Sequence, residues 1–339
     1  MKIRSLFKII LSALISFILI NMFCVLYYNI PVHVSSKSRA TDHVWESNKF
    51  YSRGTEGFAF GKTDANGYNN LVALDSKDVD VLFIGSSHME AFNVSQDKNS
   101  VSLLNKLMNE KNMGLNAYNI GISSHYFARC LNNFADAVSE YDSANYIVIE
   151  TSNIKPSVDD LQKIEGGTFE KLEASSNSLV VMFQKIPFVR RVYAQLSNIQ
   201  IGKTKNVDPA NIAQIEQNEN EYKNMLNDAL SKVSITAENN GTKLIIFYHT
   251  NLNTDKSGAL IEREEINDVT LFRTLCEDNN IIFIDMYDAF AESYNETYHL
   301  PHGFSNTAVG EGHLNKYGHE VIARELFELI SNLEKSKLN

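Results

Sequence analysis

Two short stretches far apart in the chain carry the residue types of nucleophilic catalysis. Gly85-Ser86-Ser87-His88 closes an apolar run. A serine on a tight turn of small residues exposes its hydroxyl beside backbone N–H groups, the donors a developing oxyanion needs. Near the other terminus, Gly310-Glu311-Gly312-His313-Leu314-Asn315 puts an imidazole just ahead of an amphipathic segment. A serine hydroxyl attacks poorly until a base takes its proton, and a neutral histidine within hydrogen-bond reach is the commonest base. Ser87 and His313 are therefore the candidate nucleophile and base. Each stretch alone reads as an ordinary turn, so the case depends on the elements that position them.

Those elements follow from hydrophobic patterning. Near-continuous apolar runs at 79–85, 116–122, 145–151, 243–249 and 280–286 suit strands buried on both faces. Helical spacing over 101–112, 128–141, 219–239 and 315–333 alternates with them. The pattern predicts a parallel sheet covered by helices on both sides, an α/β fold whose chemistry gathers at the carboxyl ends of the strands. Ser87 follows the first strand. The second ends at Asn119-Ile120-Gly121 and the third at Glu150-Thr151-Ser152-Asn153, so Gly121 and Asn153 become candidate donors to the same point.

In these blocks and their order the chain resembles the SGNH/GDSL hydrolase superfamily. The resemblance runs over about residues 79–335 and implies a flavodoxin-like three-layer α/β/α sandwich with a central parallel sheet. It implies Ser87 as nucleophile, an oxyanion hole from the Ser87 N–H, Gly121 and Asn153, and His313 as general base. The family's acid stands three residues before the histidine, where this chain has Gly310. Glu311 ranks first as the replacement, ahead of Asp285, Asp288 or a backbone carbonyl that would leave a Ser–His dyad. Ser86 stands where the family has Asp, and Thr151-Ser152 precede Asn153 in place of a glycine-containing turn.

Other residues invite heavier readings than they carry. His88 is expected to wall the pocket. His299 and His302 resemble a metal pair but lack further ligands, so no metal and no cofactor are expected. His319 is expected to be structural. Phe304, Asn306 and Thr307 precede the catalytic loop and are expected to shape it or touch a sugar.

The N-terminus has a different character. Lys2, Arg4 and Lys8 precede an uncharged apolar run from Ile9 to Tyr28. That run is about long enough to cross a ~30 Å hydrocarbon core as a helix. The expected organisation is a cytoplasmic basic tail (1–8), a transmembrane anchor (9–28), a lead-in segment (29–78) and a catalytic domain (79–335) with an insertion at about 155–215. The basic tail places the N-terminus inside and the domain outside. The net charge of −10, less the three charges of that tail, leaves the outer part near −13. No Lys/Arg run follows a phosphate backbone, so nucleic acid is not an expected partner. Three cysteines, one within the apolar run, make no disulfide framework.

A serine acyl-enzyme passes its acyl group to water or to another hydroxyl. With the domain outside a membrane, the resemblance implies a bacterial envelope O-acyltransferase acting on polysaccharide, partnered by a cell-envelope glycan and a multi-span acyl exporter. The alternatives are a carbohydrate O-acetylesterase and a catalytically lapsed glycan-binding factor.

Overall fold

A computed structural model describes residues 3–36, 38–171, 183, 185–200 and 219–337. Helix α1 (Ile3–Tyr27) contains a 24-residue stretch, Arg4–Tyr27, long and apolar enough to cross a membrane, and no residue of that stretch is buried. It runs directly into a polar, aromatic-rich lead-in. There β1 (Tyr28–Asn29), β4 (Phe50–Arg53) and β5 (Ala59–Lys62) form an antiparallel sheet, while β2 (His33–Ser35) and β3 (His43–Trp45) pair beside it.

The next portion alternates strands and helices. It contains β6 (Val81–Ile84), α2 (Ser87–Glu90), α3 (Ser100–Glu110), β7 (Ala117–Asn119), α4 (Phe127–Glu140), β8 (Tyr146–Thr151) and α5 (Val158–Gly166). Helices α6 (Pro187–Gln200) and α7 (Glu219–Asn239) lead to β9 (Lys243–Tyr248), and the short pair β10 (Asn253–Thr254) and β11 (Leu260–Ile261) follows. The chain ends with α8 (Ile266–Asp278), β12 (Ile282–Asp285), α9 (Tyr287–Thr297), the hairpin β13 (His302–Gly303) and β14 (Val309–Leu314), and α10 (Lys316–Lys337). The expected insertion at 155–215 includes α5 and α6; residues 172–182, 184 and 201–215 lie outside the described residues.

The five apolar runs form one parallel sheet in the order β7-β6-β8-β9-β12. The first strand is second in space and the chain then winds the other way, the flavodoxin-like order, which opens a crevice at the carboxyl ends of β6 and β8. Alternation along the strands feeds two cores. Leu82, Ile84, Ile147, Ile149, Leu244 and Ile246 face α4, α5, α7 and α8. Val81, Phe83, Val148, Ile245 and Phe247 face α3, α9 and α10. With both sheet faces covered, the result is the three-layer sandwich. Cys130 and Cys276 are separate buried thiols.

The lead-in is tied to this sandwich by buried polar contacts. Trp45 Nε1 donates to Glu90 Oε1 at 2.7 Å, and Tyr118 donates its hydroxyl proton to Asp64 Oδ2 at 2.7 Å. Buried polar groups hold position because losing a partner is costly. The segment ahead of the first sheet strand is therefore a fixed part of the domain.

Candidate active site

The turn after β6 is built to present Ser87. Gly85 leaves no room for a side chain: a Cβ there would lie 2.6 Å from Met89 Cγ and 2.7 Å from Glu150 Oε2. Ser86 caps α2, its Oγ accepting the His88 N–H at 3.3 Å. Ser86 also donates its backbone N–H and its hydroxyl to Glu150 Oε2, at 2.7 and 2.8 Å. Ser87 opens the helix, so its own N–H has no intrahelical carbonyl to bond.

His313 arrives on β14 from the other end of the chain. Its Nε2 lies 2.9 Å from Ser87 Oγ, placed to accept the hydroxyl proton. Its Nδ1 lies 2.7 Å from Glu56 Oε2, and its backbone N–H donates to Glu56 Oε1 at 2.9 Å. The approach of this carboxylate to the strand requires a glycine: Gly312 has φ +88°, and a Cβ there would lie 2.5 Å from Glu56 Oε1. Burial alone pushes the Glu56 carboxyl up. The hydrogen bonds from His313, with the charges of His313 and Arg53, outweigh it and hold the group at about 2. An ionised Glu56 fixes Nδ1 as the protonated nitrogen and leaves Nε2 free for the serine.

Asn306 clamps the Glu56 turn. Its Nδ2 donates to the carbonyls of Gly54 and Gly57, each at 2.9 Å, and its Oδ1 accepts the Gly57 N–H at 2.9 Å. Ser87, His313 and Glu56 thus stand in the relation of nucleophile, base and orienting acid.

No family model and no curated protein matches the chain. Among solved structures it is similar to the psychrotrophic esterase EstA from Pseudoalteromonas sp., at 12% identity and TM-score 0.41 over 76% of this chain and 100% of that one. It is similar to the acetyl xylan esterase AlAXEase at 14% identity and TM-score 0.42, over 74% and 100%. A GDSL-like lipase from Parabacteroides merdae, described as putative, follows at 16% identity and TM-score 0.36, over 74% and 94%. The names of these neighbours are those of esterases, a lipase and an acylhydrolase. The chemistry itself rests on the distances in this chain and not on these likenesses.

The remaining expected site residues fall out unevenly. Glu311 does not orient the base. It is exposed, between Gly310 and Gly312 with φ of +91° and +88°, so strand alternation fails there and its side chain turns to solvent. Asp285 is engaged elsewhere, its Oδ2 2.6 Å from Arg263. Gly121 does not offer a free oxyanion donor, because its N–H already donates to Asn119 Oδ1 at 2.8 Å. Its role is to seat α2, since a Cβ would lie 2.5 Å from Met89 Cβ. Asn153 is exposed after β8; its Oδ1 accepts the Lys155 N–H at 2.8 Å, an Asx turn that engages the amide oxygen.

His88, His249 and His302 form a brace behind the catalytic pair. His88 Nδ1 accepts the Leu314 N–H at 3.2 Å, holding the strand that carries His313. Glu150 Oε1 lies 2.8 Å from His249 Nε2, and His249 Nδ1 lies 2.9 Å from His302 Nε2. With a carboxylate as acceptor, His249 carries its proton on Nε2, so His302 donates from its own Nε2. Burial above all keeps His249 at about 3 and His302 at about 2, so both rings are neutral. His88, His249 and His302 lie close enough together to suggest a metal site. However, His88 Nδ1 is an acceptor for a backbone N–H, which leaves the proton of the neutral ring on Nε2, and both His249 nitrogens are already bonded. As the rings stand, these contacts form a hydrogen-bond relay from Glu150 through His249 to His302. His299 stacks on Tyr317, with ring centroids 3.9 Å apart, and His319 Nδ1 accepts the Ser100 N–H at 3.3 Å.

Glu56, Glu150 and His249 escaped the sequence reading. Two of them left signals: Glu150 is a carboxylate inside an apolar strand, and His249 ends another such strand. Glu56 is marked only by the glycines near it, and a carboxylate in a turn is ordinary.

Proposed function

We propose that the chain is a serine-dependent acyl-transfer enzyme that forms an acyl ester on Ser87 and passes it to a hydroxyl of an extracytoplasmic carbohydrate. The observation that carries this reading is the alignment of Ser87 Oγ, His313 and Glu56 at 2.9 and 2.7 Å. In the first half-reaction His313 Nε2 takes the Ser87 proton as Oγ attacks an acyl carbonyl, and then gives it to the leaving oxygen. In the second, the same nitrogen takes the proton of the acceptor hydroxyl as that oxygen attacks the acyl-serine, and returns it to Ser87 Oγ as the acyl–Oγ bond breaks. The Ser87 N–H at the start of α2 and the Asn153 amide are the proposed oxyanion donors.

A groove of about 450 Å³ beside the Glu56 turn supports a carbohydrate acceptor. Phe58, Tyr298, Phe304 and Tyr317 supply ring faces there, and Asn93 and Lys316 supply polar groups. The helix α1 supports an anchored enzyme with its N-terminus in the cytoplasm, a cell-envelope glycan as acceptor and a multi-span acyl exporter as donor partner. Hydrolysis, an O-acetylesterase reaction, is the runner-up in the same mechanism. It is favoured by the names of the solved neighbours, an acetyl xylan esterase among them. The lapsed-enzyme reading loses its ground, because the acid missing at Gly310 is supplied by Glu56.

The test is labelling of Ser87 by a fluorophosphonate, followed by acyl release from p-nitrophenyl acetate with and without added glycan. Acyl glycan formed at the expense of acetate supports transfer, and acetate alone supports the esterase. An unlabelled serine in the folded chain sinks both.

A further inference from the structure

The catalytic turn is built onto the end of α1. Gly54 lies so close that a Cβ would stand 2.7 Å from Tyr27 Cδ2 and from the Tyr27 carbonyl oxygen. Glu56 is two residues further on. In the small sheet Tyr28 pairs with Arg53 and Arg53 with Ala59, so the 54–58 turn is at the end of that sheet nearest α1. One run of contacts therefore leads from Tyr27 through Gly54, Glu56 and His313 to Ser87.

Apolar surface continues outward from this junction. Phe58 is 63% exposed, Phe60 39% and Phe50 44%, and their rings stand against one another, with centroids 4.9 Å apart for Phe58–Phe60 and 5.9 Å for Phe50–Phe60. On the other element at the junction, α6 meets α1 inside its apolar run. Phe188 packs edge-on to Phe17 at 6.2 Å between centroids, and the Phe188 N–H donates to Asn21 Oδ1 at 3.3 Å. Asn21 and Phe17 precede Tyr27 by six and ten residues, about 9 and 15 Å along a helix. Val192 and Tyr193 of α6 are exposed.

Cations ring the helix exit, against the acidic balance of the whole. The guanidinium carbons of Arg53 and Arg191 lie 5.7 and 5.1 Å from the Tyr28 ring centroid. Arg190 donates to the carbonyls of Ile30 and Pro31. Exposed aromatics beside arginine and tyrosine at the end of a spanning helix are the composition of a membrane interface.

We propose that the phospholipid surface covers Phe50, Phe60, Val192 and Tyr193, bedding the domain on the bilayer with the Ser87 triad at headgroup level. The enzyme then acts on acyl esters presented at the membrane surface in preference to dissolved ones. This rests on α1 spanning a bilayer and on the acyl chemistry proposed for Ser87, and it names where the substrate is met.

The test uses the full chain with Cys24→Ser, reconstituted in phospholipid nanodiscs. An environment-sensitive fluorophore is placed by Phe60→Cys, Val192→Cys, Leu14→Cys as a spanning control, or Val72→Cys in the groove lined by Asn116 and Ala117 at the amino end of β7. Lipids carrying a nitroxide at the headgroup should quench positions 60 and 192 several-fold more than position 72, and lipids carrying it midway along the acyl chain should quench position 14, about 20 Å along the helix from Tyr27. A second arm compares Phe60→Ser/Val192→Ser with the parent chain. Turnover of an ester embedded in the disc should fall several-fold while a water-soluble ester is turned over at the parent rate. Positions 60 and 192 behaving like position 72 would overturn the proposal. Loss of quenching at position 14 would place the failure in the spanning helix, and an unlabelled Ser87 beside quenched 60 and 192 would place it in the chemistry.

Discussion

Glu56 holds the ring of His313 from a position 257 residues earlier in the chain, with Oε2 2.7 Å from Nδ1 and Oε1 2.9 Å from the backbone N–H of the same residue. One carboxylate thus orients the base and fixes the strand that carries it. Replacing it with an amide keeps the shape but removes the charge and admits the wrong tautomer. Glu56→Gln is expected to lower kcat by about 10³- to 10⁴-fold, the scale set by loss of a triad acid. Glu311→Gln should leave kcat unchanged. Steady-state hydrolysis of a soluble ester checks both, and the reverse ranking would restore Glu311 as the acid.

Stability should depend on pH through the buried rings. Burial foremost lowers His33, His249 and His319 to about 3, His125 to about 4 and His302 to about 2, from an ordinary value of 6.5. Between those values and 6.5 these five rings bind more protons in the unfolded chain than in the folded one; Asp64 and Glu90, whose carboxyls burial pushes up, pull the other way, but they are two groups against five, so stability rises with pH. The contribution is complete above about pH 6.5 and is lost as pH falls toward 3. Tm should therefore climb from pH 4 to pH 6.5 and level off above, and His319→Gln should flatten the climb. A Tm independent of pH across that window would show that the rings are protonated in the folded chain.

Glu150 is the buried anchor of the nucleophile turn. It accepts two bonds from Ser86 and one from His249, and it is 1% exposed. Glu150→Leu leaves three buried donors without an acceptor, at a cost of roughly 3 kcal/mol or more. Denaturant titration would measure it; a loss below about 1 kcal/mol, the net scale of a single hydrogen bond, would mean that water replaces the carboxylate.

Gly121 tests packing without chemistry. A methyl group there would meet Met89 Cβ at 2.5 Å, and Met89 belongs to the helix that begins with Ser87. Gly121→Ala should destabilise the fold by about 1–3 kcal/mol and slow fluorophosphonate labelling of Ser87, although it removes no hydrogen-bonding group. Unchanged labelling would separate the seat of α2 from the nucleophile.

Asn306→Ala removes three hydrogen bonds to the turn that bears Glu56 while leaving the triad side chains in place. Activity toward a soluble ester should fall by about 10-fold or more, the scale of losing about 1.4 kcal/mol of positioning. Parent-level kcat would show that the glycines of the turn hold it without the clamp.

The amino-acid sequence by itself determined the sheet, its helices, the apolar N-terminal run, and Ser87 and His313 as partners. Five apolar runs form the parallel sheet because burial on both faces leaves its mark at every residue of a strand. Ser87 and His313 are legible because each adjoins such an element. Tertiary structure alone decided the acid, the clamp and the nearness of the site to α1. Glu56 and Asn306 lie in irregular segments, where no periodicity records which way a side chain faces, and they meet only when the lead-in folds onto the β13–β14 hairpin. Glu311 was the nearer choice along the chain, yet nearness in sequence counts for little once two left-handed glycines turn the backbone between it and the histidine.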